Sequence, residues 1–233
     1  MQRRALLLAM LAAAATGCAT KVSRSGTRDS HFDPKYLLKG EIDRVIDTTR
    51  AEVLGSLLLV AEKLYRRNPR EWRRGNLESR EVAIERLKKR QAPAELEGKL
   101  EGPAAMLSFR EDFSGDRVAA LMIGLLSMLD AAFEHKEEFF LFDKLDAQKL
   151  YNCARNFEIA LWKLNTAKNA AGEFFLLANE VTPTASNLSF EREFGRMIGQ
   201  LDLLSQIVAD ANGRLVSRLT QSIATSVFLP IGF

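Results

Sequence analysis

The chain has 233 residues, 47% hydrophobic and 27% charged, with a formal net charge of +3. Cys18 to Phe233, 216 residues, is long enough for one domain with a sizeable core, and without Arg3 and Arg4 the balance is 31 basic against 30 acidic residues. A body so near neutrality has no general attraction for nucleic acid, and two cysteines exclude a disulfide scaffold.

Arg3 and Arg4 make a short cationic start, Ala5 to Ala15 an apolar run of 11 residues, and Thr16 and Gly17 supply small side chains before Cys18. That order is a secretory signal, because a bilayer core takes about 20 helical residues to cross. The junction Ala15-Thr16-Gly17-Cys18 resembles the lipobox of bacterial lipoproteins, roughly Leu-(Ala/Ser/Thr)-(Gly/Ala)-Cys, with Ala15 in place of the leucine. The resemblance covers only the signal segment and its junction. It implies cleavage before Cys18, diacylglycerol on the sulfur, and further acylation by a chain such as palmitate. Ala19 follows where an aspartate would signal inner-membrane retention, so the implied address is the periplasmic face of the outer membrane. Each buried methylene contributes about 0.8 kcal/mol, so several chains hold a protein stably where one does not. The expected organisation is a signal peptide over 1–17, a lipidated cysteine and flexible tether over 18–32, and a single helical domain over 33–233. A flexible tether of this length spans about 20 Å.

Asp33-Pro34 is a helix-start signal. Beyond it Ile42, Ile46, Thr49, Val53, Leu57, Val60 and Leu64 step by three or four residues and predict one helical face. Asn68-Pro69 closes that helix and opens a short turn holding Trp72, before Gly75-Asn76. A charged helix follows in LESREVAIERLKKR, with Val82, Ala83, Ile84 and Leu87 as its thin apolar side. Pro93, Gly98, Gly102 and Pro103 then predict a loop-rich stretch. Ser114 and Asp116 cap RVAALMIGLLSMLDAAF, which is apolar nearly all round and is expected to be the central helix of a bundle. Asp146 caps a helix carrying Leu150, Ala154, Phe157, Leu161 and Leu164. Asn212-Gly213 is a signal to break the last helix in two, but the seam from Phe190 to Leu215 and on through Leu219 and Ile223 continues in register across it and favours one long helix, straight or kinked. No β-type alternation of useful length occurs. The expected fold is all-α, an irregular bundle of about five to seven helices.

Chemistry is sparse. The cluster Glu134, His135, Glu137 and Glu138 lacks the Glu-x-x-His spacing of bundle metal sites, since Ala132 stands three residues before His135. No nucleophile elbow, phosphate loop or paired zinc spacing is present. No cofactor or metal is expected. Cys153, in KLYNCARNFEIALWKL, reads as a small buried hydrophobe. Glu78-Ser79 is the one dipeptide that resembles helical peptidoglycan-cleaving lipoproteins, without their glycine-rich surroundings. Residues 63 to 90 carry 11 basic side chains against four acidic ones. Among them Arg66, Arg67, Arg70, Trp72, Arg73 and Arg74 form a candidate binding patch for an envelope protein or for anionic lipid headgroups. The apolar end SVFLPIGF either tucks against the bundle or offers a contact. These features point to a membrane-anchored, non-catalytic binding or scaffold protein of the cell envelope. Two alternatives are a carrier of a hydrophobic ligand, lined by Phe133, Phe139, Phe140, Phe142, Phe174 and Phe175, and a cell-wall hydrolase using Glu78.

Overall fold

The computed structural model describes residues 19–22, 28–31, 39–140, 143–182, 184, 186–211, 213 and 228–231. The signal segment, Cys18 and the Asp33-Pro34 start lie outside them. The described residues form an all-α irregular bundle of seven helices: α1 (Glu41–Arg67), α2 (Pro69–Arg74), α3 (Arg80–Lys88), α4 (Glu101–Leu107), α5 (Arg117–Ala132), α6 (Ala147–Thr166) and α7 (Ser189–Ala211). The chain divides into two compact units, Met1–Ile46 with Glu138–Asp143, and Asp47–Glu137 with Lys144–Phe233.

In the first unit, β1 (Ala19–Val22) pairs antiparallel with β2 (Arg28–His31), Ala19 opposite His31, inside the stretch expected as an aperiodic tether. The Gly40 amide donates to Asp43 Oδ2 at 2.8 Å, so a side chain in the first turn of α1 reaches back to the residue before the helix. The Lys39 ammonium lies 5.0 Å from the centre of the Phe140 ring.

The second unit is built around α5. Of its 16 residues only Ser127 and Asp130 escape burial, as an all-apolar helix requires. The α1 seam is buried at Ile46 and from Val53 on, with Val53, Leu57, Val60 and Leu64 fully covered, while Thr49 is half-buried and Ile42, expected on the same face, is 42% exposed. The α6 and α7 seams meet through Phe157 and Phe194, edge to face with centroids 6.5 Å apart. Cys153 is buried on α6, and burial pushes its thiol well above the usual range.

Two local expectations are corrected. The stretch read as loop-rich contains a 3₁₀ turn (Ala94–Leu96) and α4, whose first turn holds Gly102 and Pro103. Proline is tolerated there because first-turn amides have no partner within the helix. Nor does the last helix pass Asn212-Gly213 unbroken: α7 ends at Ala211 and Gly213 turns left-handed at φ 60°. Leu215, Leu219 and Ile223 lie outside the described residues. On α3 the buried positions are Ala83 and Leu87, four apart, while Val82 is exposed. A short two-stranded ladder pairs β3 (Glu180–Val181) with β4 (Ser186–Asn187).

Residues 228–231 are tucked. Phe228 and Ile231 are buried. Between them the side chain of Asn156, itself fully covered, accepts the Leu229 amide at 2.6 Å and donates to the Leu229 carbonyl at 2.8 Å. A Cβ added to Gly102 would stand 2.9 Å from the Phe228 Cβ, so a glycine on α4 makes room for that ring. Asn156→Ala removes both bonds, a loss of about 2 kcal/mol at the usual value per hydrogen bond. We expect chymotrypsin to cut near Phe228 faster in this variant while the rest of the bundle resists. Equal cleavage in both proteins would show that the amide clip does not hold the segment.

Candidate binding cleft

The basic run of residues 63 to 90 ends α1, forms α2 and α3, and sends three of its cations to each of two depressions. The larger, about 690 Å³, is lined by Arg67, Arg70 and Arg74 of the candidate patch and by Arg117, Glu71, Glu111 and Glu173. Its apolar side is Pro69, Phe174, Phe175 and Leu177.

Sequence explains how these groups converge. Asn68 ends α1: its Nδ2 donates to the Leu64 carbonyl at 2.8 Å and to the Leu177 carbonyl at 2.9 Å, while its Oδ1 accepts the Leu177 amide at 2.8 Å. One side chain therefore closes a helix and fixes the 174–177 loop against it. Pro69 then starts α2, whose 70 and 74 positions share a face. Between them Glu71 is buried, its Oε1 accepting Arg74 at 3.0 Å and its Oε2 accepting the Arg117 amide at 2.8 Å. That carboxylate sits on the positive end of α5.

A second carboxylate serves the same helix end. Asp116 accepts the Ala119 amide at 2.9 Å as N-cap and the Tyr65 hydroxyl at 2.8 Å. Burial raises the Asp116 carboxyl to about 6, opposed by the hydrogen bonds from Ala119, Tyr65 and Val118 and assisted by the charge of Glu71. Burial, with the adjacent Asp116, pushes the Tyr65 phenol far up.

Arg117 forms the floor of the cleft. Its guanidinium donates to the carbonyls of Ser108 at 3.0 Å, Arg110 at 2.8 Å and Phe113 at 2.7 Å, and lies 4.8 Å from the centre of the Phe175 ring. Burial lowers its pKa. With its donors spent on carbonyls, Arg117 is structural. The reactive edge is Arg67 and Arg70. Arg67 bonds Glu180 through Nη2 at 2.9 Å, but its Nε is sequestered without a hydrogen-bond partner. The Arg70 side chain is exposed and makes no hydrogen bond or ion pair with any described residue. Phe174 and Leu177 beside it are 41% and 49% exposed. The cleft thus joins uncommitted arginine, carboxylates of opposite sign and bare apolar surface.

The structure splits the six-residue candidate patch. Arg67, Arg70 and Arg74 reach the cleft. Arg66 is paired with Glu62 on the surface at 2.5 Å, and Arg73 stacks over the half-buried Trp72 ring at 4.5 Å, neither on the cleft wall. Glu71, Arg117 and the Phe174–Leu177 loop were not singled out as parts of one site, because nothing local in the sequence joins residues 71, 117 and 175. Glu78 is exposed, and the Ser79 hydroxyl accepts the Val82 amide as the N-cap of α3. Glu134 is paired with Lys149 at 3.1 Å. Among the described residues no group of three or more His, Cys, Asp or Glu side chains could hold a metal ion. Phe133 and Phe139 are core residues, Phe140 is half-buried, and Phe142 lies outside the described residues.

No family model, no curated protein and no solved structure matches this chain. Among the described residues no helix is long and apolar enough to cross a membrane.

Proposed function

We propose that the chain is an outer-membrane lipoprotein, anchored through Cys18 on the periplasmic face, whose helical body is a non-catalytic scaffold that docks an envelope protein in the arginine-walled cleft. One observation carries the docking: uncommitted Arg70 borders exposed Phe174 and Leu177 in a cleft of about 690 Å³. Arginine and aromatic side chains dominate the energetics of protein interfaces, where a few central residues supply most of the affinity. The mixed charges of the lining, four arginines against three glutamates, suit a polypeptide segment bearing both signs better than a small anion. The guanidinium of Arg117 is spent on carbonyls, and Ser79 is spent on a helix cap; these uses support a binding role over catalysis.

The anchor is tested by the mass of the mature N-terminus. A diacylated or triacylated Cys18 is expected, and a plain cysteine or another first residue overturns the location. Docking is tested in cells, with a photoreactive residue in place of the exposed Leu177 in the anchored protein. A discrete crosslinked envelope protein is expected. Arg70→Glu should reduce its yield about tenfold, the scale of one interfacial charge of about 1.4 kcal/mol, whereas Arg66→Glu outside the cleft should not. Equal yields in all three proteins, or no discrete adduct, overturn the docking role.

A further inference from the structure

The second depression, about 420 Å³, takes three more cations of the basic run: Lys88, Lys89 and Arg90 from the end of α3 meet Arg50 of α1. Asp130 lies among them at the end of α5, with His135 and Glu137 from the turn that follows. Asp130 orders the site. Its Oδ1 accepts Arg50 Nη2 at 3.2 Å and Arg90 Nη2 at 3.3 Å, and its Oδ2 accepts Arg90 Nε at 2.7 Å. Two guanidinium groups are thereby fixed side by side by one carboxylate, as a preformed anion fork requires. The Arg50 side chain is only 11% exposed, and its Nε is sequestered with no acceptor. A buried donor without a partner is unfavourable unless something else fills its place. The Lys89 ammonium makes no hydrogen bond or ion pair with any described residue, and Arg90 and His135 both hold left-handed backbone, φ 55° and 56°. Such conformations cost free energy and persist where the surroundings enforce them.

The charges of the lining discriminate between anions. Lys88 is paired with Glu85 at 2.6 Å, so Arg50, Lys89 and Arg90 face two carboxylates, Asp130 and Glu137. The carbonyls that end α3 and α5 are taken by main-chain amides, Arg90 on Leu87, Gln91 on Arg86, Glu134 on Ala131 and His135 on Asp130, and add no uncompensated charge. One positive charge remains, which matches a singly charged anion and leaves a doubly charged one unneutralised. We infer that this pocket binds a phosphodiester monoanion, held by Arg50, Arg90 and Lys89. The ligand group is the same whether it comes from a phospholipid headgroup or from a soluble diester.

The test uses the chain with Cys18→Ser, so that no anchor contributes, in phosphate-free buffer at constant ionic strength. Three probes are titrated: dimethyl phosphate, inorganic phosphate, and dihexanoyl phosphatidylglycerol below its micellar concentration. The Arg Nε–H resonances and the His135 ring resonances are followed by NMR. Saturable shifts at Arg50 and His135 are expected with dimethyl phosphate, with at least tenfold weaker binding in Lys89→Glu and unchanged binding in Arg70→Glu. Lys89 is exposed, so that variant should keep the unfolding midpoint of the parent. Equal affinity for the lipid and dimethyl phosphate assigns recognition to the diester group alone; tighter binding of the lipid assigns it to a headgroup; both outcomes support the site. Inorganic phosphate binding as tightly as dimethyl phosphate, or no saturation with any probe up to tens of millimolar, overturns it.

Discussion

Gly124→Ala should destabilise the bundle by about 3 kcal/mol, at the upper end of the range for overpacking. Alanine is ordinarily the better helix residue by about 1 kcal/mol, so a purely local account gives the opposite sign. The structure reverses it: the added Cβ would stand 2.6 Å from the Ala105 amide nitrogen, 2.6 Å from the Glu101 carbonyl oxygen and 2.7 Å from the Ala105 Cβ. Two of these atoms are backbone, and α4 cannot retreat without losing the Glu101 amide bond to Ser127 Oγ, 2.7 Å long, one turn further along α5. In a domain of this size the melting temperature should fall by about 10 °C. Gly199→Ala is the matched control. It lies on α7 with nothing within 4 Å of the added carbon, so it should stabilise by about 0.5–1 kcal/mol. Equal effects of the two substitutions in urea unfolding would mean that α4 and α5 do not touch through their backbones.

The second large effect is on pH. With its carboxyl raised to about 6, Asp116 takes up a proton more readily in the folded chain than in the unfolded one, where 3.8 applies. Between those values the native state binds more protons, so stability falls as pH rises. The contribution is intact below about pH 4 and lost above about pH 6, a change of about 3 kcal/mol. Asp116→Asn keeps Oδ1 for the Ala119 amide and places an NH₂ where Oδ2 took the Tyr65 hydroxyl, which turns to accept from it, and asparagine caps helices as well as aspartate does. The variant should therefore match the parent near pH 4, exceed it at pH 7, and show a flatter course between. Urea midpoints across that range measure it. Parallel curves for the two proteins would refute the assignment of this titration to Asp116.

The helices legible in the sequence were those whose burial is one-sided or complete. The α1, α6 and α7 seams declare themselves by period, and α5 by its lack of any polar face. α4 was hidden because Gly102 and Pro103 are breakers in a helix interior, and only tertiary contact shows that they occupy a first turn. There Gly102 accommodates Phe228, and α4 is held from outside by Ser127. The site followed the same pattern. Abundance of arginine between 63 and 90 is visible from composition, but its division is not. It depends on how α1, α2 and α3 are rotated against α5, and core side chains such as Tyr65, Ala83 and Leu87 fix that rotation. Arg117 was concealed by its own helix, which reads as wholly apolar. Phe174 and Phe175 read as core or as cavity lining, and they line the cleft from a loop whose position is set by Asn68.

Asn68 and Asn156 grip Leu177 and Leu229 in the same manner, by one amide and one carbonyl of the main chain. Neither asparagine reads the identity of the residue it holds. Substitutions at 177 can therefore accumulate by drift and retune what the cleft accepts without disturbing where its rim lies. Proline is the exception at both positions, since it brings no N–H to the grip. Related chains should thus vary freely at these two points yet avoid that single imino acid.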